Sequence, residues 1–189
     1  DGGNGLPELF KEEALGQIKD WVNEGGTLIA TEGAVSFFTK ELSDFTEISL
    51  KEYPKDSSLM ARSLPYDQRT AYEGKKRIPG TALNAKIDIT HPLAFGLKAE
   101  LYTLKFGTDA LVPNAGLETV GSYEKLNQLN VAGYASPDNL GHLAENTFAG
   151  VVSLGRGKVV YLIDNTQYRM FWMGPSRMMQ NAVMQIPGY

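Results

Sequence analysis

Trp21-Val22-Asn23-Glu24-Gly25-Gly26-Thr27-Leu28-Ile29-Ala30-Thr31 contains the end of a helix, a double glycine and a short apolar run with no gap between them. Upstream, Leu6, Phe10, Ala14, Ile18, Trp21 and Val22 recur at three- and four-residue spacing and form one apolar stripe. The spacing predicts a helix from Leu6 to Glu24, with Pro7 in the first turn, where a missing N–H costs nothing. Gly25-Gly26 is the stop, one of the pair taking the left-handed conformation that ends helices. Thr27 to Thr31 then reads as a buried parallel strand. Helix, double glycine, buried strand is half of a βαβ unit.

Working outward, Glu32-Gly33-Ala34 turns into a short helix at Val35-Ser36-Phe37-Phe38. Residues 40–79 are polar with little sustained periodicity and read as an excursion from the sheet, with Thr46 to Leu50 a weak strand candidate. Gly74-Lys75-Lys76-Arg77 reads as a solvated basic loop rather than an anion site. From residue 80 the pattern turns to β, with candidates at Thr81–Asp88, Leu101–Phe106, Gly116–Tyr123 and Leu129–Tyr134. Phe148–Leu154, Gly155-Arg156-Gly157 and Lys158–Ile163 read as a hairpin, and Val159 to Ile163 is the most β-prone run in the chain. Thr27–Thr31 and Lys158–Ile163 are both expected as central strands of one sheet. A last helix runs from Gly174 to Met184, with Met178, Met179, Ala182 and Val183 inward as core filling. The expected organisation is a single domain over 1–189, a fragment of a longer chain, with its polar excursion at 40–79.

Composition narrows the functions. The chain has 189 residues and a net charge of −4, which argues against a nucleic-acid binder resting on a basic face. No apolar run is long enough to span a membrane. With no Cys, disulfides, thiolate metal sites and Cys nucleophiles are excluded. Only two His are present. His142-Leu143-Ala144-Glu145 matches the His-x-x-Glu spacing of zinc peptidases, but a catalytic zinc needs a third ligand and the other histidine is His91, before Pro92 in a turn. No metal site is expected.

Thr31 and Glu32 stand where a strand turns sharply into a helix, the position that exposes a nucleophile in hydrolase and amidotransferase folds. A Thr hydroxyl there needs a base, and neither His has a recognisable place as one, so a plain strand–helix junction is the competing reading. Asp164-Asn165-Thr166-Gln167-Tyr168-Arg169 follows the strongest strand, at the sheet edge where ligands bind in open α/β folds. Asp164 and Arg169 either bind a polar ligand or pair with each other and cap the last helix. If the site is real, Thr31, Glu32, Asp164 and Arg169 should surround one shallow polar depression, with Arg169 paired to Glu32 or Asp164. Gly2-Gly3, ahead of the first helix, offers backbone amides to an anion.

In order, Asp-Gly-Gly-Asn-Gly at 1–5, Trp21-Val22 with Gly25-Gly26-Thr27-Leu28-Ile29-Ala30, Ile89-Thr90-His91-Pro92-Leu93-Ala94-Phe95-Gly96, Gly155-Arg156-Gly157-Lys158-Val159-Val160, Asp164 to Trp172 and Asn181-Ala182 resemble the class I glutamine-amidotransferase-like domain at the C-terminus of bacterial zinc carboxypeptidases of the carboxypeptidase A type. Related domains occur in trehalose-utilisation-type proteins and some glycosidases. The resemblance implies a flavodoxin-like α/β sheet with helices on both faces, a β-rich insertion, and early strands that precede this chain. It also implies that the amidotransferase Cys matches Thr31, that its His falls near Asp164 to Gln167, and that Gly2 and Gly3 match the oxyanion-hole loop. Both catalytic residue types are absent, so the resemblance implies the fold without its chemistry. By the same resemblance, zinc and the peptidase domain lie upstream, the chain has no cofactor of its own, and the protein is extracytoplasmic, secreted or periplasmic. The expected role is a non-catalytic accessory domain that contacts the upstream peptidase domain or self-associates. The alternatives are a small-ligand or carbohydrate binder, served by Tyr168, Phe171 and Trp172, and a hydrolase using Thr31 or Glu32 with Asp164.

Overall fold

The computed structural model describes residues 12–53 and 62–188; Gly2, Gly3 and the start of the first expected helix lie outside them. The helices are α1 (Glu12–Asn23), α2 (Gly33–Phe37), α3 (Lys40–Ser43), α4 (Tyr66–Lys75), α5 (Leu126–Leu129), α6 (Pro137–Leu143) and α7 (Met173–Met184). The strands are β1 (Thr27–Thr31), β2 (Thr81–Ile87), β3 (Glu100–Lys105), β4 (Glu118–Tyr123), β5 (Asn130–Ala132), β6 (Thr147–Leu154) and β7 (Gly157–Leu162). They form one sheet in the order β1-β7-β6-β4-β2-β3, with β5 also on β2.

Helix α1 stops as its glycines require. Gly25 sits at φ 121°, and the Gly25 and Gly26 amides donate to the carbonyls of Val22 and Trp21 at 2.9 and 3.0 Å. Strand β1 then pairs in parallel with β7, Thr27 opposite Lys158 through Thr31 opposite Leu162, so both carboxyl ends reach the same edge. β6 and β7 form the expected hairpin, closing at Leu154 opposite Gly157. Gly157 lies so close to the carbonyls of Val22 and Gly26 that any side chain there would collide with backbone.

Strands β6 and β7 are buried almost throughout, which requires cover on both sheet faces. Tyr161 anchors one side: its hydroxyl donates to the Phe38 carbonyl at 2.6 Å and lies 2.8 Å from the Thr46 hydroxyl. Asn181 of α7 anchors another, its amide donating to the carbonyls of Leu93 and Phe95 at 2.9 Å each. The late Asn-Ala and the His-Pro turn, far apart in sequence, thus meet in the core.

Several expectations need correction. Strand β1 is not central: it is the terminal strand of the described sheet and is mostly half-buried. A short apolar run suits one covered face as well as two. Among the described strands only the β1–β7 pair is parallel; the other pairings are antiparallel. The polar excursion contains α4, which buries no residue and so carries no apolar period, whereas Thr46–Leu50 contributes only an isolated bridge, Leu50 to Leu111. In α7, Met178 and Ala182 are buried as expected, but Val183 is 55% exposed.

Candidate functional site

The parallel pairing of β1 and β7 delivers Glu32 and Asp164 to one place. The Glu32 amide continues the ladder by donating to Leu162 O at 2.9 Å, and the Glu32 carbonyl accepts from Val35 N at 3.0 Å. Between these anchors Glu32 takes φ 50°, ψ −127°, a conformation that costs a non-glycine residue about 1–3 kcal/mol. The strained elbow residue is therefore Glu32, not Thr31. Thr31 stays in register with Leu162.

Beside the elbow lies a cleft of about 150 Å³ lined by Glu32, Gly33, Phe106, Asp109, Ile163, Asp164 and Asn165. Glu32 and Asp164 share it as expected; Thr31 and Arg169 are not in its wall. Arg169, itself at φ 50°, lies over the Tyr168 ring at 5.2 Å. The partner of Asp164 is Lys105, at 3.0 Å, and this corrects the expected pairing with Arg169. Asp164 Oδ1 also accepts from the Tyr123 hydroxyl at 2.8 Å, and Oδ2 from Thr103 Oγ1 at 2.7 Å. Lys105 Nζ completes its own coordination on the Asp109 carbonyl at 2.6 Å. Lys105 is 0% exposed and Asp164 3%, so this is an ion pair sealed from water with further hydrogen bonds on both partners, the condition under which burial of charge is tolerated. Burial, then the Asp164 charge, holds the Tyr123 phenol well above its usual range; it stays protonated and keeps donating.

This cluster links distant strands of the sheet. Strands β3 and β7 are separated by β6, β4 and β2 in the hydrogen-bonded order. In a flat sheet that is four spacings of about 4.8 Å, yet Thr103 and Lys105 of β3 touch Asp164 just beyond β7. The sheet is strongly coiled, and the carboxylate ties β3, its last strand, to the end of β7, the neighbour of β1.

Sequence reasoning missed Lys105, Thr103, Tyr123 and Asp109. One signal existed: Lys105 shares the alternating face of Leu101 and Thr103, and a lysine on the inward face of a strand demands a counter-charge.

A chain of aromatic rings leads away from Phe106 in the cleft wall. Phe106 and Tyr168 are 5.5 Å apart, Tyr168 and Phe171 6.2 Å, and Phe171 and Trp172 5.9 Å. Phe171 is 61% exposed.

The two histidines are elsewhere. His91 caps the turn at Pro92–Ala94, Nδ1 accepting from Leu93 N at 3.0 Å, and its Nε2 lies 3.3 Å from a Glu118 carboxylate oxygen. Burial lowers its pKa, against the pull of Glu118. His142 closes α6, while Glu145 lies past the helix end at φ 62°. Among the described residues no group of three or more His, Asp or Glu is placed to hold a metal ion, so the residues here do not fit a zinc site. No helix among them is long and apolar enough to cross a membrane.

No known family model matches the chain, and no curated protein does. Among solved structures, a cytoplasmic protein of Salmonella typhimurium superimposes with a TM-score of 0.54 at 16% identity, over 97% of this chain and 64% of the other. A ThuA-like protein of Bacteroides uniformis gives a TM-score of 0.49 at 14% identity, over 96% of this chain and 64% of the other. This chain therefore spans about 64% of the length of either protein. At such identity the Salmonella likeness is one of fold alone: the chain shares that protein's mixed α/β architecture, built here on a seven-stranded, mostly antiparallel sheet.

Proposed function

We propose that this chain is a non-catalytic amidotransferase-like domain, an accessory unit of an extracytoplasmic zinc carboxypeptidase whose zinc and peptide-cleaving residues belong to the upstream domain. One observation supports the non-catalytic part above others. Asp164, the only acid following the late strand at the elbow, is spent on Lys105, Thr103 and Tyr123. An elbow nucleophile needs a base within hydrogen-bond reach, and neither histidine lines the cleft. Glu32 is left on a strained turn, with Asp109 the further acid of the cleft wall. The link to a carboxypeptidase rests on the ordered segments quoted above, from the double glycine to the late Asn-Ala.

Two assays test this. The purified chain should release no ammonia from glutamine; release lost in Glu32→Gln would refute the non-catalytic reading. The longer natural chain should cleave C-terminal residues in a chelator-sensitive manner, and absence of that activity in the full-length protein would refute the peptidase context.

The aromatic chain supports a second reading, a carbohydrate-binding surface, since it runs from Phe106 in the cleft wall to the exposed Phe171 and flat rings suit sugar faces. Saturation-transfer NMR with cello-oligosaccharides should then show contacts that Phe171→Ala removes. No transfer with any tested glycan would leave the aromatic ladder without this role.

A further inference from the structure

Helix α7 carries methionine on two sides. On its inner side Met178 and Ala182 are buried, and Asn181 ties the helix to the His-Pro turn through the Leu93 and Phe95 carbonyls. On its outer side Met173, Arg177, Gln180 and Met184 follow one another at four-, three- and four-residue steps. They form a single line about 17 Å long, exposed at every position. A helix with one buried face normally turns polar residues outward; here both ends of the outward line are Met.

Two neighbours widen the line. Phe95 stands beside it, its carbonyl held by Asn181 at 2.9 Å, and Gly96 lies next to the Arg177 guanidinium. Ahead of the helix, Arg169 and Met170 take φ 50° and 58°, left-handed backbone that costs a non-glycine residue about 1–3 kcal/mol. Phe95, Met170, Met173 and Met184 are each at least 65% exposed. Apolar residues scattered singly over a surface are ordinary; four grouped on and around one helix face mark an interaction surface.

The charge around them has one sign. The whole chain has 22 acidic residues against 18 basic, yet residues 165–189 contain no Asp or Glu and carry Arg169 and Arg177. Among the described residues neither arginine is paired with a carboxylate; Arg169 lies over the Tyr168 ring. Past the Phe95 turn, Lys98 and Glu100 add one charge of each sign. Exposed methionine and phenylalanine beside unpaired arginine complement a surface that is anionic outside and apolar just beneath.

We propose that α7 and the Phe95 turn dock on the surface of a bilayer containing anionic phospholipid. Phe95, Met170 and the line from Met173 to Met184 enter the boundary between headgroups and acyl chains, and Arg169 and Arg177 meet lipid phosphates, which the planar guanidinium fork fits. At 12 residues the helix lies on the bilayer rather than across it. The surface is separate from the elbow cleft, so it stands or falls independently of the accessory-domain reading.

Sedimentation of the purified chain with sucrose-loaded vesicles tests the assignment. Binding to phosphatidylcholine mixed equally with phosphatidylglycerol should be about thirtyfold tighter than to phosphatidylcholine alone, the worth of two basic residues at an anionic surface. Arg177→Gln should weaken binding to the mixed vesicles by about fivefold, and Phe95→Ser with Met173→Ser by about tenfold or more. Tyr66→Ser, at an 85% exposed position of α4, should change nothing. In the wild type with isotope-labelled methionine methyls, lipid spin-labelled at the headgroup should broaden Met173 and Met184 but not the buried Met178, a readout that needs no variant to fold. No binding to the mixed vesicles, equal binding to both compositions, or binding that Phe95→Ser with Met173→Ser leaves unchanged overturns the proposal. So does a dimer in sedimentation velocity that the same variants dissociate, which would put a second copy of the chain on this face.

Discussion

Replacing Lys105 with Met removes one side of a sealed ion pair. Methionine fills the lysine stem's volume but leaves the Asp164 carboxylate, 3% exposed, with only the Tyr123 and Thr103 hydroxyls as donors. Breaking a buried pair on one side costs about 3–5 kcal/mol, because the remaining charge is neither paired nor hydrated. For a chain of this size each kcal/mol moves Tm by about 2–4 °C, so Lys105→Met should lower it by about 6–20 °C. The second arm is the double variant Lys105→Met/Asp164→Asn. Both charges are then gone, Asn Oδ1 still accepts from Tyr123, and Thr103 turns its hydroxyl to accept from Nδ2. Replacing a buried pair as a unit is often near neutral, so the double variant should recover to within about 1 kcal/mol of the wild type. Urea unfolding of all four proteins gives the cycle directly. A cost below about 1 kcal/mol for Lys105→Met, or a double variant as unstable as the two single changes added together, would refute the account of how β3 is held to the end of β7.

Glu32→Gly should raise stability by about 1 kcal/mol, the relief of positive-φ strain exceeding the entropy lost to glycine; a lower Tm would mean that the Glu32 side chain holds the elbow. Gly157→Ala should cost about 3 kcal/mol or more, because the new methyl meets the backbone carbonyls of Val22 and Gly26 rather than yielding side chains. Unchanged stability there would show that α1 is free to shift away from β7. For pH, burial lowers the folded-state pKa of both His91 and His142 below 6.5. Their contribution is complete above the unfolded value and is lost as pH falls through it, since the unfolded chain then binds more protons. Tm should thus fall between about pH 7 and 5, well above the range where Asp88, held low by Thr90, begins to protonate. A flat Tm across that interval would contradict the burial of the two rings.

What the sequence revealed followed how local the cause was. The helix stop at Gly25-Gly26 is local chemistry, and the hairpin through Gly155-Arg156-Gly157 is written in the residues that form it. The near-continuous apolar run of β7 was legible because both of its faces are covered. Strand β1 has the same look, yet ends the described sheet: burial depends on what packs against a strand, which the strand's own residues do not record. Helix α4 buries nothing and so left no period to find. At the site, Glu32 and Asp164 were readable from their places after two parallel strands. Lys105 was not, since its need for Asp164 appears only once β3 is known to coil round to the end of β7.

That coiling also sets an order of events in folding. The Asp164 carboxylate meets Tyr123, Lys105 and Thr103 across 41, 59 and 61 residues of chain, whereas the β6–β7 hairpin closes over a two-residue turn between Leu154 and Gly157. Contacts so distant in sequence pay their loop-closure entropy before they return anything, and a carboxylate gives up its water only when all its donors are in place. The clasp is therefore expected to form late, after the transition state. Its loss should then appear in the unfolding limb of a chevron and leave the folding limb nearly unmoved, so that the few hydrogen bonds tying β3 to the end of β7 set how long the folded chain lasts rather than how fast it forms.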